Sequence, residues 1–212
     1  MFFYNIVHKY LKSNHFVKNV NTSFLLCRDN YVGKIDLNNI NNNNLFICKD
    51  ERFKHKSQLY NITKNKKIVI LLESPHIKEF SLNLIAPALG RTGLLIEKYL
   101  INILKTNQKI IKDEYDIYIV NAICYQCSLG YSTKQYRNQI FKAMWGKTKV
   151  QNSLKRRIKK IHPDIVINAI TKQFKETISG FLNNNIKNIN NKMLIFEASS
   201  HPSVWNNNTI IY

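Results

Sequence analysis

The chain has 212 residues, 44% of them hydrophobic, and thirty-two Lys and Arg against thirteen Asp and Glu give it a formal charge of +19. That size fits one large domain, or a domain with an appendage, around an ample core. No run approaches the ~20 apolar residues that span a bilayer, and the start Met1-Phe2-Phe3-Tyr4-Asn5-Ile6-Val7-His8 turns polar too soon for a secretory signal.

Residues 1–65 read as an N-terminal extension, partly β. Phe24-Leu25-Leu26-Cys27 and Leu45-Phe46-Ile47-Cys48 have the look of short strands. The Asn-rich stretch Asn38–Asn44 between them reads as a turn-rich, mobile loop. From residue 66 the pattern becomes regular. Lys67–Leu72 is a β-branched apolar run, and Thr92–Leu104 carries Leu94, Leu95, Tyr99, Leu100 and Ile103 at helical spacing. Ile117–Val120 is a second run, followed by a polar, helical region over about 133–161. Asp164–Ile170 is a third run, Thr171–Leu182 a helix closed by Gly180 or the asparagines after it, and Met193–Phe196 a fourth run. Strands that are apolar throughout are buried on both faces. Their alternation with helices predicts an α/β domain over 66–212, three-layer α/β/α with a four-stranded parallel sheet.

Open parallel sheets bind ligands beyond the carboxyl ends of their strands. The first run is followed there by Glu73, Ser74, Pro75 and His76, the second by Asn121, the third by Thr171, and the fourth by His201, Pro202 and Ser203. Gly90-Arg91-Thr92-Gly93 opens a helix, and exposed N–H groups at such a start suit a phosphate. Cys124 and Cys127 form a CxxC, but Cys27 and Cys48 supply no second close pair, so reduced structural thiols are expected, with no metal and no cofactor. The scarcity of Asp and Glu selects a polyanionic partner, nucleic acid or an anionic membrane surface. An AT-rich genome explains abundant Asn, Ile and Lys but not that scarcity. The run Lys147, Lys149, Lys155, Arg156, Arg157, Lys159 and Lys160 is the densest basic segment, readable as a backbone contact or as a solvated helix face.

These residues resemble the uracil-DNA glycosylase superfamily, nearest to its branch with a GEAPG motif. Leu72-Glu73-Ser74-Pro75-His76 stands at that motif, and Pro87-Ala88-Leu89-Gly90-Arg91-Thr92-Gly93-Leu94-Leu95 is similar to its PFVGxAGxLL. Ile117–Asn121 resembles the strand ending in the base-reading Asn, Pro163–Ile167 the third strand, and His201-Pro202-Ser203 the final HPS. The resemblance covers roughly residues 66–212, in order. It implies a monofunctional DNA glycosylase that flips a uracil-like, damaged or modified base and hydrolyses its N-glycosidic bond, in base-excision repair or in attack on foreign DNA. Glu73 would activate water or stabilise the sugar cation, Ser74 would hold the water, and His201 would donate to the leaving base. Asn121 would read the base edge. Gly90, Arg91, Gly93 and Ser203 would hold phosphates, with Lys155 and Arg156 on the DNA backbone. Trp205 stands where the family places an apolar wedge.

There are departures. Ala88 replaces the Phe on which the flipped base stacks, removing ~1–3 kcal/mol of stacking; Phe80 or His76 replaces that ring, or the pocket takes a bulkier base. Leu72 and His76 replace the motif's two glycines. The cysteines do not have the spacing of the branch's iron–sulfur ligands. The expected partner is therefore DNA, double- or single-stranded, with no membrane, for a monomer in the cytoplasm or nucleoid, or the nucleus of a eukaryotic or viral host. Two alternatives stand beside this reading: a non-catalytic DNA-binding protein on the same fold, and an α/β hydrolase acting on nucleotides.

Overall fold

A computed structural model describes residues 26–47, 64–81, 84–127 and 136–212. The first apolar run forms β3 (Lys66–Leu72), the second β6 (Glu114–Asn121), the third β7 (Ile165–Asn168) and the fourth β8 (Leu194–Glu197). These four are mutually parallel, and β3, β6 and β7 are wholly buried over most of their length. The sheet is larger than the four strands expected. It is mixed and six-stranded, because β1 (Asn30–Asp36) joins β6 antiparallel and β2 (Asn44–Leu45) joins β1, giving the order β2-β1-β6-β3-β7-β8. The sheet therefore crosses the domain boundary placed at residue 65.

β1 is not where the sequence placed a strand. Phe24 and Leu25 lie outside the described residues; Leu26 and Cys27 are irregular, and the strand starts at Asn30. Its register on β6 shifts between Tyr31 and Gly33, where Gly33 has φ +120° and a Cβ would lie 2.0 Å from the Asn44 carbonyl oxygen. Only glycine fits there. The loop expected to be mobile is tied down. Asp36 Oδ1 accepts from the Asn38 and Asn39 N–H groups at 2.8 and 3.1 Å, and Asn43 Oδ1 accepts from Asp36 N–H at 2.8 Å.

Helices cover both faces. On one, α1 (Arg91–Thr106) buries Ile96, Leu100, Ile103 and Leu104 against Ile68, Ile70, Ile117 and Ile119. On the other, α2 (Arg137–Trp145), α3 (Thr148–Ile161) and α4 (Lys172–Phe181) pack Phe141, Leu154, Ile158, Phe174 and Ile178 over Val69, Leu71, Val120 and Val166. Gly180 lies inside α4, which continues into a π turn over Leu182–Ile186 rather than stopping. A short hairpin, β4 (Phe80–Ser81) and β5 (Leu84–Ile85), stands between β3 and α1. The C-terminal tail runs back along β8, with Ser199 N–H donating to Ile210 O and Tyr212 N–H to Glu197 O. Among the described residues no helix is long and apolar enough to cross a membrane.

The registers align the strand ends. Leu72 sits opposite Asn121, Leu71 opposite Asn168, and Asn168 opposite Glu197, so all four strands finish at one edge. From β3 the chain leaves toward α1 on one face; from neighbouring β7 it leaves toward α4 on the other. Divergence of adjacent connections is the topological switch at which open α/β sheets form a crevice.

Candidate active site at the carboxyl edge of the sheet

The crevice between β3 and β7 holds Glu73. Its backbone is pinned to β6, since Ala122 N–H donates to Leu72 O at 2.8 Å and Ile123 N–H to Glu73 O at 3.1 Å. Its side chain is 5% exposed, with Arg137 Nε 3.2 Å from Oε1, and Thr171 Oγ1 donates to Oε2. Burial pushes the Glu73 carboxyl above its usual range, against the opposing pull of Arg137 and Thr171. The result is a carboxylate more basic than an exposed Glu, hydrogen-bonded on one oxygen by Thr171 and ion-paired at the other with Arg137. Ser74, half-buried, hydrogen-bonds the thiol of Cys127.

His201 follows β8, within electrostatic reach of the Arg137 that pairs with Glu73. It caps the 3-10 turn Pro202–Val204, and its Nδ1 accepts from Ser203 N–H at 3.2 Å and lies 2.9 Å from Ser203 Oγ. Burial pushes the imidazole down to about 4, and the charges of Arg137 and Lys175 push the same way. The ring is thus neutral at pH 7. With Nδ1 accepting, the proton sits on Nε2. Lys175, on α4, donates from Nζ to Ala198 O, bracing the segment that leads to His201. Arg91 does so from the other face, its Nε donating to Ser203 O at 3.1 Å. Gly90 is the residue before α1, and Gly93 packs so tightly that a Cβ would lie 2.0 Å from Ala88 O.

Several expected site residues face elsewhere. Ala88 is wholly buried under α1 with φ +59°, its N–H donating to Glu79 Oε1 at 2.8 Å, so its methyl lines the core and not an open pocket. Trp205 is 2% exposed, and its Nε1 donates to Ser200 O at 3.0 Å; the apolar side chain this turn exposes is Val204, at 56%. Asn121 is 1% exposed beneath the N-terminal segment, its Nδ2 facing Cys27 Sγ at 3.7 Å and its Oδ1 without a partner among the described residues. Asp29 fastens that segment by an ion pair with Arg157, whose Nη2 also donates to Asn121 O at 2.9 Å and Ala122 O at 3.2 Å. Arg157 therefore faces inward, apart from the exposed α3 face of Lys149, Lys155, Arg156, Lys159 and Lys160. An open depression lined by Lys149, Asn152, Lys155 and Arg156 lies on that face. His76 caps the 3-10 turn after β3, its Nδ1 accepting from Lys78 N–H at 3.3 Å, and Phe80 sits half-buried in the hairpin.

Burial raises both CxxC thiols, Cys124 to about 11, which keeps them protonated. Cys48 lies outside the described residues. Among the described residues no group of three or more His, Cys, Asp and Glu is placed to hold a metal ion. The residue that sequence reasoning missed is Arg137, which touches Glu73 and acts on His201. It lies at a helix start far from any strand end, so strand-end reading had no signal for it. No family model matches the chain, and no curated protein matches it in sequence.

Proposed function

We propose that the chain is a monofunctional DNA glycosylase with its active site in the crevice between β3 and β7. The observation that carries the proposal is a buried, basic carboxylate ion-paired with Arg137, together with a neutral imidazole, its proton on Nε2, within electrostatic reach of the same guanidinium. Base excision needs both. As the N-glycosidic bond breaks, positive charge grows at the sugar and negative charge on the leaving base. Glu73 stabilises the first and takes a proton from the water whose oxygen bonds to C1′. His201 Nε2–H donates to an oxygen of the base, which leaves with the bonding electron pair. Four parallel strands between helices support the glycosylase-like core of the resemblance, with β1 and β2 as additions. The +19 charge and the basic α3 face support DNA as the partner. For Asn121 to read the base, residues 26–29 must move aside; Val204, not Trp205, is exposed to fill the gap a flipped base leaves.

A non-catalytic DNA-binding protein is the second reading, favoured by the covered Asn121 and the inward Ala88. The test is incubation with duplexes carrying uracil, deaminated purines or modified cytosines, followed by alkali. Strand breaks at the altered base support the glycosylase; binding without breaks on every duplex supports the alternative.

A further inference from the structure

Tyr136, the residue before α2, has φ +53°, a left-handed conformation that residues with a side chain avoid. This turn launches α2 with Arg137 as its first residue, and the guanidinium reaches to 3.2 Å from Glu73 Oε1 while remaining 27% exposed. Thr171 holds the other carboxylate oxygen. The charged and titratable groups around this point come from every element that meets there: Glu73 after β3, Cys127 after β6, Arg137 on α2, Lys175 on α4 with Glu197 beside it, and His201 after β8. Arg137 and Lys175 both act on the imidazole, but Arg137 alone of the two is paired with Glu73.

Resting on the reading of this crevice as a glycosylase site, we propose that Arg137 is its positioning residue: with Thr171 on the other oxygen, it holds the Glu73 carboxylate in place. Its charge also adds to the burial that disfavours protonation of His201. Arg137 forms and breaks no bond in the reaction. It acts through Glu73, which takes the proton from water, and through His201, which donates to the leaving base.

The test is excision of the preferred base by Arg137→Gln and Arg137→Lys as a function of pH, with NMR titration of the His201 imidazole in each. Both the ionised carboxylate and the neutral imidazole are lost on acidification. Removing the cation therefore moves the acid limb of kcat/KM for Arg137→Gln upward by about one pH unit, and His201 titrates correspondingly higher. Arg137→Lys keeps the charge, and so the limb, but loses rate because a flexible ammonium no longer sets the carboxylate's direction. An equal loss of rate at every pH, with His201 titrating as in the unaltered protein, would overturn the proposal. Should Arg137→Gln not fold, Arg137→Met, which keeps the apolar stem without the charge, reads the same shift, and an unchanged His201 titration counts against the proposal. If the unaltered protein excises no base, the glycosylase reading fails, while the His201 titrations still decide whether Arg137 controls the imidazole.

Discussion

Asp29 and Arg157 fasten the segment that covers Asn121, and Asp29→Asn tests how firmly. Their side chains are 1% and 16% exposed, so water screens the pair little. Losing one member of a buried ion pair costs about 3–5 kcal/mol. Arg157 keeps two carbonyl acceptors, Asn121 O and Ala122 O, which places Asp29→Asn at the low end. A loss of about 3 kcal/mol lowers Tm by about 6–12 °C in a chain of this size. Arg157→Met distinguishes this account from a general loss of packing. It strands the Asp29 carboxylate, whose pKa burial already raises. A carboxyl raised in the folded state holds its proton there after the unfolded chain has lost it, so stability falls as pH rises from the unfolded pKa through the folded one. Arg157→Met is therefore expected to recover relative to the unaltered protein as pH falls from 7 toward the ordinary carboxyl range, read by urea unfolding. An Asp29→Asn protein melting within about 1 °C of the unaltered one would refute the docking of residues 26–29, since removing one member of a buried pair costs more than that.

Gly93→Ala places a Cβ 2.0 Å from Ala88 O and 2.8 Å from Ile47 Cγ2; thermal melts are expected to show a loss of about 1–3 kcal/mol or more. His201 has a folded pKa of about 4 against 6.5 unfolded, so its contribution is intact above pH 6.5 and is lost as pH falls toward 4. Integrated over that window the loss is about 3 kcal/mol, absent from His201→Gln in parallel urea titrations. Reversing Lys155 and Arg156 to Glu should weaken duplex binding across sequences and flatten the log–log salt slope by about 2, measured by fluorescence anisotropy with excision of a short single strand as a control.

The parallel core was legible because a strand buried on both faces must be apolar throughout, and Ile68–Leu72 and Ile165–Ile167 are. β1 was not, because Asn30-Tyr31-Val32-Gly33-Lys34-Ile35-Asp36 mixes polar and apolar residues and is held by an antiparallel partner 80-odd residues away that no local pattern announces. In the crevice, Glu73 and His201 were legible from strand ends alone. Ala88 and Trp205 show what a motif cannot say: it aligns positions, while the direction of a side chain is set by backbone and packing. The left-handed φ of Ala88 turns its methyl into the core, and the bond from the Trp205 indole to Ser200 O holds that ring inside. Arg137 was hidden because it approaches from a helix on the far side of the crevice, where neither periodicity nor spacing marks it.

On the proposed function, this crevice releases a base from DNA. Mass spectrometry of the small molecules freed from duplexes carrying single altered bases tests it most directly, with Glu73→Gln and His201→Ala alongside. One free base, an abasic strand of matching mass, and a loss of release in both variants while duplex binding persists are the expected results. Tight binding by the unaltered protein with no free base from any duplex, or release that survives both substitutions, would contradict it.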